Sequence, residues 1–274
     1  MAAAPRLGST EAVLLGIDHV VLATDDPDAT AEELEAKLGL AATGGGRHEA
    51  LGTFNRLVWL GDAYLELIGV FDPELAAASW LGREVLASLA DGGGLVTWAI
   101  AVDDLDGALR WAPPDAGLVG PIDGERRRRD GRLVRWRLAR PDPVTPVAPF
   151  LIEHDAAGAE WTPDERAARA EEHHPLGGRA RLVGLEVVTQ NPAAAAGALR
   201  RQLAAAVEPA GRGVVRVRLG GHDARFAGSH PRSAALVELL ADVPLRTRVL
   251  RLGDTDLRLR GLAAVAAGAP ESEG

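Results

Sequence analysis

The same sequence of signals, an apolar strand-like run followed by an acidic or amide helix start, occurs three times in this chain. That repetition constrains the fold more than any single segment, because self-similar units must pack in equivalent ways. Residues 13–24 form a β-rich apolar run ending in Asp25-Asp26-Pro27-Asp28. There a carboxylate can accept the orphan amides of a first turn, and Pro fits because its missing N–H costs nothing. A helix over 29–38 ends at Gly39, a natural C-cap. Gly44-Gly45-Gly46-Arg47-His48 reads as a loop, and strands 55–60 and 63–70 meet at the turn Gly61-Asp62. With 41–43 as a short second strand, the order is βαβββ and the fold class α+β.

The grammar returns in residues 95–102, followed by Asp103-Asp104-Leu105-Asp106, a hairpin turning at Asp130-Gly131, and a last strand over 149–153. It returns more weakly in 182–189, Asn191-Pro192, a helix over 193–206, and strands 214–219 and 235–241. The expected organisation is a tail (1–12), paired units at 13–72 and 93–157, a helical connector (158–178), a degenerate third unit (179–262) and a disordered tail (263–274). The connector starts at Thr162-Pro163, an N-cap followed by a first-turn Pro. His173-His174 closes it, reading as a helix-end cap rather than a metal pair, since adjacent helical residues point about 100° apart.

With 47% hydrophobic and 25% charged residues, 274 residues can bury a sizeable core. The absence of cysteine removes disulfides and thiolate metal sites, so a metal would need His, Asp, Glu or water. A net charge of -9 speaks against a nucleic-acid surface. No apolar run approaches the roughly 20 residues of a membrane span, and no signal peptide is evident. The expectation is a cytoplasmic protein with a small-molecule substrate, no nucleic-acid or membrane partner, and a homodimer as one option. Arg126-Arg127-Arg128-Arg129, bracketed by Glu125 and Asp130, reads as a solvated hairpin face.

Ile17-Asp18-His19-Val20-Val21-Leu22-Ala23, Gly46-Arg47-His48 with Gly52-Thr53-Phe54-Asn55, Tyr64-Leu65-Glu66-Leu67-Ile68 and Pro149-Phe150-Leu151-Ile152-Glu153 resemble the glyoxalase-like branch of the vicinal oxygen chelate superfamily. The resemblance spans about 15–155, with 180–260 as a degenerate copy. It implies two βαβββ units curling a sheet into a bowl, with a divalent metal held on the inward strand faces. It further implies a metal set of His19, Glu66 and Glu153, the latter two also catalytic, with Thr97 where a fourth ligand would stand. One imidazole and two carboxylates suit Mn²⁺, Fe²⁺, Zn²⁺ or Ni²⁺, with positions open for substrate oxygens.

Strand alternation places His19, Val21 and Ala23 on one face and Asp18, Val20 and Leu22 on the other. A carboxylate in an apolar strand is costly unless paired, protonated or metal-bound, which singles out Glu66 and Glu153. Alternation equally permits both to face water and His19 to be an inert strand histidine. Arg47, His48 and Asn55 are candidates for binding a carboxylate or carbonyl substrate, and Trp98, Trp136 and Trp59 for walling an apolar pocket. The leading expectation is a metal-dependent isomerase, lyase or oxygenase acting on vicinal oxygens. The alternatives are a metal-free binding or sequestering module, as in resistance proteins of that superfamily, and a structural protein with a vestigial site.

Overall fold

A computed structural model describes residues 14–113, 116–203, 205–211, 213–228 and 233–262, so both expected tails lie outside the described residues. The first unit is β1 (Leu14–Ala23), α1 (Pro27–Leu38), β2 (Gly44–His48), β3 (Thr53–Leu60) and β4 (Ala63–Val70). The Asp26 carboxylate caps α1 by accepting from the Asp28 and Ala29 amides, and Gly39 ends it in the left-handed region at φ 75°. Two short helices that sequence reasoning left unassigned follow, α2 (Pro73–Ala78) and α3 (Trp80–Ala90). The second unit is β5 (Gly94–Val102), α4 (Leu105–Trp111), β6 (Leu118–Arg128), β7 (Leu133–Pro141) and β8 (Phe150–His154).

These eight strands close into a barrel in the order β1-β4-β3-β2-β6-β7-β8-β5. The Gly-rich segment expected as a loop is therefore the strand β2, and residues 41–43 form no strand. Glycine is required there because β2 closes the barrel against β6 through only Gly46↔Arg128 and Arg47↔Arg127. A Cβ on Gly46 would lie 2.1 Å from the Arg127 carbonyl oxygen, which is backbone and cannot swing aside. Gly46→Ala is accordingly expected to cost about 1–3 kcal/mol through overpacking. An unchanged urea midpoint would show that the closure tolerates a methyl group.

After the connector helix α5 (Pro163–Ala170) come β9 (Ala180–Val188), α6 (Pro192–Leu203), β10 (Ala206–Pro209), β11 (Val215–Leu219), β12 (His222–Ala227), β13 (Ala235–Pro244), β14 (Arg248–Leu252) and β15 (Thr255–Leu262). They form a seven-stranded sheet ordered β10-β11-β12-β9-β13-β15-β14. The pairing repeats that of the barrel. β9 runs parallel to β12 as β1 does to β4, β13 runs parallel to β15 as β5 does to β8, and β9 and β13 are antiparallel like β1 and β5. Among the described residues, no strand takes the eighth place that β6 fills in the barrel, and the sheet stays open.

Alternation then distributes the apolar residues. Val20, Leu22, Leu65, Leu67, Trp98 and Ile100 point out of the barrel into a cluster shared with Leu182, Leu185, Phe226, Val237 and Leu257 of the open sheet. Burying each of these large side chains contributes about 1.5–3 kcal/mol, so the two sheets are held by one common core. Val21, Ala23, Ile68, Ala99, Phe150 and Ile152 form a separate cluster on the opposite, inward face. His174, nearly buried, fastens the connector to the barrel: its Nδ1 accepts from the Ala41 amide (3.2 Å) and its Nε2–H donates to the Trp59 carbonyl (2.9 Å). That fixed tautomer serves as a clamp between segments rather than the expected helix-end cap.

Candidate active site

The barrel interior is a cavity of about 700 Å³ with a polar floor and aromatic walls. β1 does not alternate strictly. Ile17 pairs with Ile100 and His19 with Ala99, so Asp18 is an extra residue, a β-bulge. The bulge lets Asp18 and His19 work on one side of the strand, correcting the expectation that they lie on opposite faces. The Asp18 carboxylate accepts from His19 Nδ1 at 2.6 Å and from His154 Nε2 at 3.0 Å. Burial works against its ionisation, yet His154 and His19 outweigh that cost and hold the carboxyl well below the usual range.

The bond to ionised Asp18 fixes the proton on His19 Nδ1, so Nε2 faces Glu66 Oε2 at 3.5 Å. Glu66, on β4, is buried, and its Oε1 accepts from Asn55 Nδ2 at 2.6 Å. Asn55 is oriented in turn, because its Oδ1 accepts from the Gly46 amide at 2.9 Å. His48 pairs through Nδ1 with Thr53 Oγ1 at 3.0 Å and places Nε2 3.8 Å from Glu66 Oε1. Burial pushes His48 down to about 4, with Glu66 opposing and Arg126 and His19 assisting, so it is neutral near pH 7. Tyr64 stacks on His19 with ring centroids 4.5 Å apart, and burial raises its hydroxyl well above the ordinary tyrosine value.

His19, His48, Asn55 and Glu66 come together on the cavity floor; Glu153 lines the cavity without joining them, and Arg47 and Trp98 lie outside it. On β8, Phe150 and Ile152 enter the inward cluster while Leu151 joins the outer one, which turns the Glu153 carboxylate away from the floor. Its Oε2 accepts from the Leu105 amide at the start of α4 (3.2 Å) and lies 3.5 Å from Arg137 Nη1. The neighbouring residue, His154, reaches Asp18 in its place. Arg47 sits over the Phe71 ring at 4.4 Å, outside the cavity wall. Trp98 is fully buried in the outer core and donates its indole N–H to the Pro146 carbonyl. Thr97 pairs with Val21, its buried Oγ1 without a partner.

Among the described residues, no group of three or more His, Asp or Glu is arranged to hold a metal ion. His19 Nε2 lies 3.5 Å from Glu66 Oε2 and His48 Nε2 3.8 Å from Glu66 Oε1, on different oxygens of one carboxylate, and Oε1 is already held by Asn55. The expected set of His19, Glu66 and Glu153 therefore does not fit a metal, because Glu153 is engaged at α4.

The upper wall comes from residues sequence reasoning assigned elsewhere. Trp161, from the connector, stacks on His154 at 3.4 Å and meets Trp59 and Tyr64 at 6.3 Å. Arg126, from the run expected to face solvent, is buried, donating to the Gly45 carbonyl (2.7 Å) and to Glu160 Oε2 (2.5 Å). Four of the six tryptophans, Trp59, Trp80, Trp136 and Trp161, line the cavity.

The glyoxalase-like domain family matches residues 17–203. A hypothetical protein from Staphylococcus aureus is similar over 91% of this chain and 100% of its own, with TM-score 0.74 and 16% identity. A xylose isomerase-like TIM barrel/4-hydroxyphenylpyruvate dioxygenase fusion protein is similar over 95% of this chain and 51% of its own, with TM-score 0.56 and 14% identity. Methylmalonyl-CoA epimerase from Streptomyces coelicolor aligns over 53% of this chain and 100% of its own, at 24% identity and TM-score 0.39. No curated protein matches the chain. The first two likenesses show the fold.

Proposed function

Because this chain belongs to the glyoxalase-like domain family, within the vicinal oxygen chelate superfamily, we propose that it is a small-molecule enzyme working by proton transfer at Asp18, His19 and Glu66. One observation carries this reading. With Nδ1–H committed to Asp18, His19 Nε2 and Glu66 Oε2 are two lone-pair atoms 3.5 Å apart, buried and facing each other. Such a pair is repulsive unless a proton is shared between them, and a buried group that holds a movable proton is what general acid–base chemistry needs. Glu66 would take the proton from the substrate carbon and give it back, Asn55 would steady the carboxylate, and the shared proton at His19 Nε2, with the ring backed by Asp18, would hydrogen-bond the developing oxyanion. Divalent metals are common in this superfamily, but among the described residues no three His, Asp or Glu side chains are arranged to hold one.

The cavity accepts a compact, mainly apolar substrate bearing a carbonyl or hydroxyl next to the carbon that gives up its proton. The test is proton exchange in D₂O, followed by NMR across a panel of small ketones, aldehydes and 2-hydroxycarbonyl compounds. Exchange catalysed by wild type and lost in Glu66→Gln is the expected result. The tryptophan-rich wall supports a second reading, sequestration of an apolar ligand. Ligands that raise the melting temperature equally in wild type and Glu66→Gln, without exchange, would replace the first reading by the second. Removing metal also separates readings: dialysis against EDTA is expected to leave the melting temperature unchanged. A fall reversed by added Zn²⁺ or Mn²⁺ would overturn the metal-independent assignment.

A further inference from the structure

We propose that His222, on the open seven-stranded sheet, is a positioning residue of the barrel site. It fixes the backbone at the β1 bulge and so aims Asp18 at His19 and His154. The inference rests on the proton-transfer reading only for its consequence on activity, and its geometry stands apart. The Ile17 amide, immediately before the bulged residue, donates to His222 Nδ1 at 3.1 Å, a contact between residues 205 positions apart. Beside it, Gly16 forms an antiparallel bridge with Gly220, which sits between β11 and β12. Both glycines are required. Gly16 has φ 133° and Gly220 φ 58°, and a Cβ would lie 2.7 Å from His222 Nδ1 at Gly16 and 2.6 Å from the Leu15 carbonyl at Gly220.

A bulge leaves the ladder locally disrupted, so its shape must be set by something outside the ladder. In β1 that support is an imidazole from the other sheet. Nδ1 can accept only while the ring is neutral with its proton on Nε2. Burial favours that neutral form, Arg181 adds to it, and Asp62, Asp18 and Asp223 oppose it. The seven-stranded sheet is on this account a working part of the site. It does more than cover an apolar wall of the barrel.

Two variants and one direct measurement test this. His222→Ala removes the acceptor, whereas His222→Asn places an amide oxygen near the position of Nδ1. Long-range ¹H–¹⁵N spectra report the His19 tautomer, assigned with His19→Gln. Wild type and His222→Asn are expected to show His19 locked with its proton on Nδ1, and His222→Ala to show both tautomers with exchange slowed about a hundredfold, the scale of a misplacement near 1 Å. A folded His222→Ala that keeps the locked tautomer overturns the proposal. Should that variant not fold, the scalar coupling between the Ile17 amide nitrogen and His222 Nδ1 is measured in wild type, and its absence overturns the proposal instead. If wild type exchanges no substrate, the tautomer and coupling still decide His222, and only the proton-transfer reading falls.

Discussion

Asp18→Ala is expected to destabilise the protein by about 3–5 kcal/mol at pH 7, the scale of two buried hydrogen bonds to a charged group at about 1.5–3 kcal/mol each. Asp18 is 2% exposed and is the acceptor for two imidazoles, His19 and His154, which would be left buried without it. His154 Nδ1 already lacks a partner, so its ring would lose the hydrogen bond that holds it. The pH dependence has a definite sign. The folded-state pKa of Asp18 is depressed, so its contribution is present above the unfolded value near 4 and is lost as pH falls below it. Asp18→Asn separates stability from chemistry. Its amide N–H meets a ring nitrogen that now has to accept, which favours the other His19 tautomer and is expected to cost about 10³–10⁴ in turnover. Urea unfolding of the three proteins at pH 7 checks the first number, and a loss under about 1 kcal/mol for Asp18→Ala would mean the carboxylate is not the hub of this network.

Asp18 also shows where sequence reasoning stops. The repeat, the α1 cap and the alternation of β4 were legible because each depends on local chemistry: Asp26 before Pro27, or Glu66 between two outward leucines. Strict alternation sent Asp18 outward because a bulge has no signature in the residues themselves; it is fixed by Ala99 and Ile100 across the ladder and by His222 from a distant strand. His154 was missed for its neighbour Glu153, because one step along β8 decides which side chain faces the floor. Arg126 looked solvated because four adjacent arginines conceal which one the strand turns inward, while Arg129 indeed stays at the surface against Asp28. Trp161 joins the cavity from a connector whose path no local pattern specifies. The open sheet was read as one degraded unit because β13, β14 and β15 follow one another with no helix among them, which removes the punctuation that marked the other units.

Between pH 6.5 and 4 the protein is expected to lose about 3 kcal/mol of stability through one side chain, His48. The imidazole titrates at its ordinary 6.5 in the unfolded chain but near 4 in the fold, where burial penalises the cation. As pH falls through this window the unfolded state takes up a proton that the folded state refuses, so stability is full above 6.5 and declines toward 4. The environment admits no easy escape. Nδ1 is occupied by Thr53, Trp136 stands edge-on at 5.9 Å, and Arg126 and His19 add repulsion that Glu66 at 3.8 Å only partly offsets. His48→Gln cannot bind a proton, and its urea midpoint is expected to fall distinctly less than that of wild type from pH 7 to 4.5, the remaining slope coming from the imidazoles of His174 and His222, whose pKa values burial also lowers. Equal declines in both proteins would assign the acid limb to another group. A shallower variant curve would assign the difference to His48, which is buried beside Glu66, so that acid resistance and a dry proton-transfer site are opposed demands on one wall of the barrel.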